Sequence, residues 1–202
     1  MYTLEKKQIE QFFKAANDLF AAITVARNSV SFDYKQLLLH YEELLYACVN
    51  HPPAIFHENY VQEITILGVT FDLLWDVEKL KLLSHHIEAK EIPTKEAFMC
   101  VDASNILERK LFQNNPQPAL IAEIPFVQNG YTAVDGNHRI ASAYYRSKPF
   151  ILCKFLPYYV HVEALSPTSK ILFKVFCNIA FYVSYCQGNI TMEDLQDSLL
   201  KI

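Results

Sequence analysis

The residues whose types and spacing are best suited to chemistry form one short segment, Asp135–Ala143, with the sequence Asp-Gly-Asn-His-Arg-Ile-Ala-Ser-Ala. It follows a predicted strand, Tyr131–Val134, and leads into an apolar run with helical spacing. A glycine at a strand-to-helix turn lets the backbone approach a ligand closely, and the first N–H groups of the helix favour an anion. Arginine and histidine side chains add hydrogen-bond donors suited to phosphate. The segment therefore predicts a phosphate-binding turn formed by Gly136, Asn137, His138 and Arg139.

A structural role is the alternative for the same segment. An arginine and a histidine beside a tight turn also serve as a salt bridge or as a helix cap, and Asp135 is placed to cap the helix or to orient Arg139. Glycine, arginine and a flanking strand occur together here, and this combination favours phosphate binding over the structural role.

Composition places the chain among ordinary folded proteins and excludes several functional classes. It has 202 residues, of which 51% are hydrophobic and 20% charged. The net charge of -4 argues against a protein that mainly wraps nucleic acid. The five cysteines form no Cys-x-x-Cys pair, and the N-terminus has no apolar signal-peptide core, so we expect a cytoplasmic protein with reduced thiols. The apolar run Ile171–Cys186 is shorter than the ~20 residues of a membrane span and predicts a buried helix.

Helices are predicted on both sides of a central sheet region. The N-terminal part shows apolar residues three and four apart, with Asp33 as the N-cap of a second helix and a third helix from Phe71 or Asp72 to Leu83. The Glu63–Leu67 segment is compatible with a strand or with a helix end. Near the C-terminus we expect helices over Pro167–Cys186 and Met192–Leu200, the latter capped by Thr191.

The central region predicts short strands with short helices between them. The strands are expected at Ala97–Val101, Ala119–Ile124, Tyr131–Val134 and Phe150–Phe155, and the helices at Asn105–Phe112 and Ile140–Arg146. The predicted fold class is α+β, with a small mixed β-sheet core flanked by N- and C-terminal helices. The expected organisation is an N-terminal helical region over 1–90, a core over 91–160 and C-terminal helices over 161–202.

The segment Pro118–Ala143 resembles the ParB/sulfiredoxin-like superfamily. In those proteins a strand, a short hairpin and a second strand lead into a Gly-x-x-Arg-x-x-Ala box at the start of a helix. Gly136 and Arg139 have this spacing, Ser142 takes the last position of the box, and the following strand is covered as well. The resemblance implies nucleotide binding through the box, with CTP in partition proteins, ATP in sulfiredoxins and ADP in related free-serine kinases.

Departures from the family pattern limit what the resemblance implies. Sulfiredoxins carry a catalytic cysteine directly after the glycine, whereas this chain has Asn137, which argues against sulfinic-acid reduction. Partition proteins continue into a DNA-reading domain, whereas apolar helices follow here, which argues against sequence-specific DNA binding. The Asp-Gly-x-His-Arg form is most similar to the serine-kinase-like members, whose catalytic carboxylate lies upstream. Asp102, Glu108 and Glu123 are the candidates by position.

The sequence therefore predicts a nucleotide-phosphate-binding protein, with a Mg²⁺-dependent phosphotransferase or nucleotide hydrolase as its activity. Its candidate catalytic carboxylates are Asp135, Glu123 and Glu108, and its cofactor is ATP, ADP or CTP with Mg²⁺. No metal site made by the protein alone is expected, because the histidines lack ligand spacing. The expected partners are the nucleotide and a small-molecule or protein acceptor; a homodimer is compatible, and no membrane is expected. The alternative is a non-catalytic nucleotide-sensing or protein-interaction module that retains the fold.

Overall fold

The computed structural model describes residues 4–26, 33–52, 54–107, 111, 115–127 and 130–202. The helices are α1 (Lys6–Ala26), α2 (Tyr34–Cys48), α3 (Val77–Leu83), α4 (Thr94–Phe98), α5 (Asn137–Tyr145), α6 (Tyr158–His161), α7 (Pro167–Cys186) and α8 (Met192–Ser198). The strands are β1 (Asn59–Ile66), β2 (Val69–Asp76), β3 (Lys90–Pro93), β4 (Ala119–Glu123), β5 (Tyr131–Asp135) and β6 (Phe150–Leu156). The fold is α+β, and helices precede and follow the sheets along the chain, as predicted.

The chain divides into two compact units. The first contains Met1–Ile55, Glu63–Leu73 and Ser166–Ile202, and the second contains Phe56–Gln62 and Leu74–Leu165. In the first unit α1, α2 and α7 pack on one another. Its core includes an aromatic cluster in which the ring of Phe176 lies 4.8 Å from that of Phe12 and 4.9 Å from that of Phe71. Tilted and edge-to-face contacts of this kind stabilise beyond the area they bury.

A buried amide in the first unit joins α7 to the segment after α8. The Nδ2 group of Asn178 donates to the Leu200 carbonyl at 2.9 Å and to the Tyr41 hydroxyl at 3.1 Å. Its Oδ1 atom accepts from the Leu200 N–H at 2.9 Å. Because Asn178 is only 3% exposed, water cannot easily replace these bonds. The asparagine that interrupts the apolar run of α7 therefore has a structural purpose.

The second unit is built on a four-stranded sheet with the strand order β3-β6-β4-β5. β4 pairs parallel with β6, and the other pairs are antiparallel, so the sheet is mixed, as predicted. Small side chains let α4 and α5 approach the sheet closely. The core between them consists of Ala97, Ala119, Ile121, Ala133, Ile140 and Cys153.

The pairing of β4 with β5 is irregular beside the predicted phosphate turn. Ile121 pairs with Ala133, whereas Leu120 pairs with Asp135, so Val134 is an extra residue on β5. A bulge of this kind changes the face to which the following side chain points. The Asp135 side chain therefore lies on the same face of the sheet as that of Leu120. Ala133 lies on the other face, which packs against α5.

Two predicted elements are wrong in type. The predicted helix from Phe71 to Leu83 begins instead as strand β2, and only its second part, Val77–Leu83, is helical. Val69, Phe71, Leu73 and Trp75 are buried at every second position, which is a strand period. β2 pairs with β1 through a tight turn at Leu67 and Gly68, which both have positive φ, as in type I′ hairpins. Leucine is rare in such a turn, so the sequence at Leu67 does not indicate a hairpin.

The predicted strand at Ala97–Val101 is instead the end of helix α4 and the turn after it. Pro93 occupies the N-cap position of α4, and the Thr94 N–H bonds the Pro149 carbonyl at 3.0 Å. Proline at a helix start supplies a favourable φ, and this local signal prevails over the strand propensity of the residues that follow. The predicted helix Asn105–Phe112 lies largely outside the described residues.

The other long helices agree with their prediction. α7 has the expected bounds, and both predicted caps are present: the Asp33 side chain accepts from the Gln36 N–H, and Thr191 forms a capping box with Asp194. Within the described part of the chain, no helix has both the length and the apolarity needed to cross a bilayer.

His161 is a fully buried histidine at the end of α6. Its Nε2 atom lies 2.7 Å from the carbonyl oxygen of Glu123, and its Nδ1 atom accepts from the Trp75 indole N–H at 3.4 Å. This pair of bonds fits a neutral ring with its proton on Nε2. Burial lowers the pKa of His161 from 6.5 to about 4.

Replacing Asn178 by leucine is expected to lower the free energy of unfolding by about 2–4 kcal/mol, because Leu200 and Tyr41 lose buried hydrogen-bond partners. Urea unfolding would measure the loss, and hydrogen exchange should show faster exchange of the Leu200 amide. Asn189→Leu is the matched control, since that exposed side chain bonds only its neighbour Gln187. Equal effects of the two substitutions would contradict the structural role of Asn178.

The buried neutral ring of His161 also predicts a pH dependence of stability. Between pH 6.5 and about 4 the unfolded chain binds a proton that the folded chain does not. The free energy of unfolding should therefore fall as the pH is lowered through this window, by up to about 3 kcal/mol from this group. Urea unfolding between pH 7 and 4, with the His161 ring followed by NMR and assigned with His161→Gln, would check it. A ring that titrates near pH 6.5 in the folded protein would refute it.

Candidate functional site

The predicted phosphate turn lies at the sheet edge where β5 ends and α5 begins. Gly136 is the N-cap residue of α5 and has φ +94°, a conformation that favours glycine. A Cβ atom at this position would lie 2.7 Å from Nη2 of Arg139 and 2.8 Å from Cβ of Ala119. The glycine is therefore needed for two reasons: the positive φ and the close packing of the arginine over the turn.

Arg139 folds back over this turn and pairs with Asp135. Its Nη2 group donates to Oδ2 of Asp135 at 3.0 Å and to the carbonyl of Pro118 at 3.3 Å. The Arg139 side chain is 11% exposed and that of Asp135 is 20% exposed. The structural salt bridge that the sequence left as the alternative is thus present. The Nε atom of Arg139 is buried and has no hydrogen-bond partner within the described part of the chain, so one donor of the fork is not satisfied.

Asn137 and His138 attach a neighbouring segment to the start of α5. The Asn137 side chain is buried, donates to the Ala133 carbonyl at 2.8 Å and accepts from the Asp102 N–H at 3.1 Å. Nε2 of His138 accepts from the Leu107 N–H at 2.9 Å. Because that nitrogen is an acceptor here, it cannot also donate to a phosphate. In this arrangement both side chains position the Asp102–Leu107 segment beside the turn.

The structure separates the candidate carboxylates. Asp135 lies at the turn, whereas Glu123 pairs with Tyr131 at the opposite end of the β4–β5 ladder, roughly 10 Å away along the strand. The Glu123 carboxylate accepts from the Tyr158 N–H at 3.2 Å, at the start of α6. Asp102 lies beside the turn, but its Oδ1 accepts from both the N–H and the hydroxyl of Ser104, at 2.9 and 2.6 Å. Glu108 lies outside the described residues.

A groove of about 370 Å³ runs along α5 next to the turn; we call it the basic groove. Arg139, Ser142 and Arg146 line it at helical spacing from one face of α5, and Lys148 follows them. Its other walls include Glu91, Asn115, Pro116, Gln117, Phe150 and Leu152. The sequence prediction did not include Arg146, Lys148 and Glu91. Arg146 follows Arg139 by seven residues, about two helical turns, and this spacing in the sequence already indicates that both arginines lie on one side of the helix.

The backbone at the start of α5 is also available for an anion. None of the described side chains caps its N-terminus, and its first turn carries no acidic residue. The first N–H groups of a helix lack intrahelical partners and carry partial positive charge. The helix N–H groups at the turn and the cations of the neighbouring basic groove all favour a negatively charged ligand.

A metal site made by the protein alone is not visible among the described residues. They contain no group of three or more His, Cys, Asp or Glu side chains arranged to hold an ion. Glu91, on the wall of the basic groove, and Asp135, at the turn, lie on the two edge strands β3 and β5 of the four-stranded sheet, roughly 14 Å apart. Magnesium commonly binds through one or two carboxylates together with substrate phosphates, so only one of these two residues can take part in such a site.

Comparison of the chain with protein-family models, with curated proteins and with solved structures found no match. The resemblance to the ParB/sulfiredoxin-like superfamily therefore stays a prediction based on the residues of the turn and the strands around it.

Gly136→Ala is expected to lower the free energy of unfolding by more than the ~1 kcal/mol that a positive φ alone costs, because its methyl group would also clash with Cβ of Ala119 and displace Arg139. Gly130→Ala is the matched control, since Gly130 has φ +68° and open space around its Cβ position. Thermal and urea unfolding of both variants would measure the difference. A loss for Gly136→Ala no larger than for Gly130→Ala would show that the close packing of Ala119 and Arg139 around the turn contributes little.

Proposed function

We propose that this protein binds a nucleotide, with the phosphates in the basic groove beside the Gly136–Arg139 turn, as the resemblance to the ParB/sulfiredoxin-like superfamily implies. The observation that carries the proposal is the charge of this groove, whose lining, as far as the chain is described, brings Arg139, Arg146 and Lys148 together with a single carboxylate, that of Glu91. A nucleoside di- or triphosphate would supply the complementary negative charge, and arginine forks suit its oxygens.

The shape and lining of the groove support a nucleotide over free phosphate. A volume of about 370 Å³ is within the ordinary range for small-molecule sites. The wall opposite α5 includes the side chains of Pro116, Phe150 and Leu152, and Phe150 is 55% exposed. Exposed apolar side chains beside cations fit a ligand with an aromatic base at one end and phosphates at the other.

Arg139 has two roles in this proposal. Its Nη2 group stays on Asp135 and Pro118 and holds the turn, and its side chain also lines the basic groove. Asp135 offsets part of the Arg139 charge, and Arg146 and Lys148 add positive charge to the groove that would attract phosphates. Mg²⁺ would bind with the nucleotide, held by its phosphates and by Asp135 or Glu91, and would neutralise phosphate charge.

The contacts of the candidate carboxylates bear on whether the protein is an enzyme. Phosphoryl transfer needs a carboxylate near the reacting phosphate to orient the acceptor or the metal. Glu123 is bonded to the start of α6, and Asp102 is bonded to Ser104. These contacts favour the alternative, a non-catalytic nucleotide-sensing module, over a phosphotransferase or nucleotide hydrolase; for the enzyme, Asp135 is the remaining candidate among the described residues.

Isothermal titration with ATP, ADP and CTP, each with and without Mg²⁺, tests the binding proposal. We expect binding by the wild type and at least a tenfold loss of affinity in Arg146→Ala/Lys148→Ala, because each charged hydrogen bond contributes about 1.5 kcal/mol or more. Lys95→Ala is the control, since Lys95 is an exposed cation on α4 that does not line the groove. The proposal fails if no nucleotide binds, or if the double variant binds as tightly as the control.

Turnover is measured separately, as phosphate or nucleoside diphosphate released from the bound nucleotide. If the protein is an enzyme, Asp135→Asn should retain nucleotide binding within a fewfold and lose most of the turnover, because the amide still accepts from Arg139 but cannot serve as a base or a strong metal ligand. Nucleotide binding without turnover in the wild type would instead identify a sensor.

A further inference from the structure

Lys154 is a partly buried cation, and no carboxylate of the described residues forms an ion pair with it. It lies on the central strand β6, next to Cys153, whose side chain belongs to the core under α5, so Lys154 is on the opposite face of the sheet. Its Nζ group donates to the Ser84 carbonyl at 2.8 Å. Among the described residues none of the ion pairs includes Lys154. A carbonyl takes one of its three N–H groups and leaves the positive charge uncompensated.

Lys154 lines a second groove, of about 310 Å³, on this face of the sheet; we call it the Lys154 groove. Its lining also includes Lys81, His85, Gln117, Leu120 and Asp135. Two other charged groups of the groove are already paired: the Lys81 ammonium lies 2.6 Å from the Glu58 carboxylate, and the Asp135 carboxylate lies 3.0 Å from the Arg139 guanidinium. The net charge of the groove therefore comes mainly from Lys154.

The strand register places Lys154 and Asp135 on the same face of the sheet. Leu120 pairs with Lys154 on one side and, across the bulge, with Asp135 on the other. Asp135, Leu120 and Lys154 thus form one row across three strands, and the backbones of the outer two are about 10 Å apart, two strand spacings. The Asp135 carboxylate is bonded to Arg139 and the Lys154 ammonium to the Ser84 carbonyl, so these two side chains do not pair with each other. The apolar side chain of Leu120 lies between them as the floor of the groove.

We propose that the Lys154 groove is a binding site for a small oxyanion, a carboxylate or a phosphate, and that it is separate from the basic groove. A partly buried ammonium without a counter-ion is costly, and a ligand oxyanion beside Lys154 would provide the missing charge. His85 and the Gln117 amide add donors around the same space. The volume fits a small metabolite.

The two grooves lie on either side of one ion pair. Arg139 lines the basic groove, its partner Asp135 lines the Lys154 groove, and Gln117 lines both. Two ligands could therefore occupy the grooves together without sharing a cation. The oxyanion proposal does not depend on nucleotide binding, because Lys154 does not line the basic groove.

NMR of protein labelled with ¹³C at the lysine ε position tests the proposal, with the Lys154 signal assigned from Lys154→Arg. Succinate and inorganic phosphate are titrated separately at constant ionic strength. We expect a saturable shift of the Lys154 signal with a dissociation constant below about 1 mM for at least one of them, which would also identify the oxyanion type. A shift that does not saturate, or no shift with either anion, overturns the proposal.

Three variants locate the site by isothermal titration with the anion that binds. Lys154→Met, which keeps the side-chain volume and removes the charge, should weaken binding at least tenfold, while Lys154→Arg should retain it. Lys79→Met is the control, because Lys79 lies on α3 and does not line the groove. Unchanged binding by folded Lys154→Met overturns the proposal; if that variant does not fold, the wild-type titration of the Lys154 signal decides.

The Arg146→Ala/Lys148→Ala variant separates this proposal from that of nucleotide binding. It should retain the oxyanion at Lys154 whether or not the wild type binds nucleotides. Loss of oxyanion binding in this variant would place the anion in the basic groove and overturn the proposal of a second site. Failure of every nucleotide to bind the wild type, with a saturable Lys154 shift, would refute only the nucleotide function.

Discussion

The guanidinium group of Arg139, folded over Gly136, is the contact on which the candidate site depends. Through Asp135 and the Pro118 carbonyl it ties the end of β5, the entry to β4 and the first turn of α5 to one another. The turn can take this form only because residue 136 has no side chain. Both grooves are arranged around this contact, one on the Arg139 side and the other on the Asp135 side.

The salt bridge between Arg139 and Asp135 also limits how strongly the turn alone can attract an anion. An arginine bonded to a carboxylate attracts an anion less strongly than a free one, and Asn137 and His138 are engaged with the Asp102–Leu107 segment. More positive charge lies further along the chain, at Arg146 and Lys148 on the wall of the basic groove. The contacts of the turn residues themselves hold the conformation of the turn.

The sequence allowed the α+β class, the long helices and the strands around the turn to be predicted, because their signals are local: helical spacing, caps, and the glycine between a strand and a helix. It did not allow the contacts of Glu123 or Lys154 to be predicted. Their surroundings depend on strand order and register, as when β6 is inserted between β3 and β4 and brings Lys154 beside Leu120. The hairpin at Leu67 and Gly68 was missed for a different reason, since leucine seldom adopts a positive φ.

The extra residue at Val134 has a consequence for where charge lies in this sheet. In a regular strand Asp135 would share the face of Ala133 and would enter the apolar packing under α5. A carboxylate buried there would lose its hydration, which is costly. The bulge directs Asp135 to the other face instead, so one inserted residue keeps a charge out of the core while the strand continues directly into the helix.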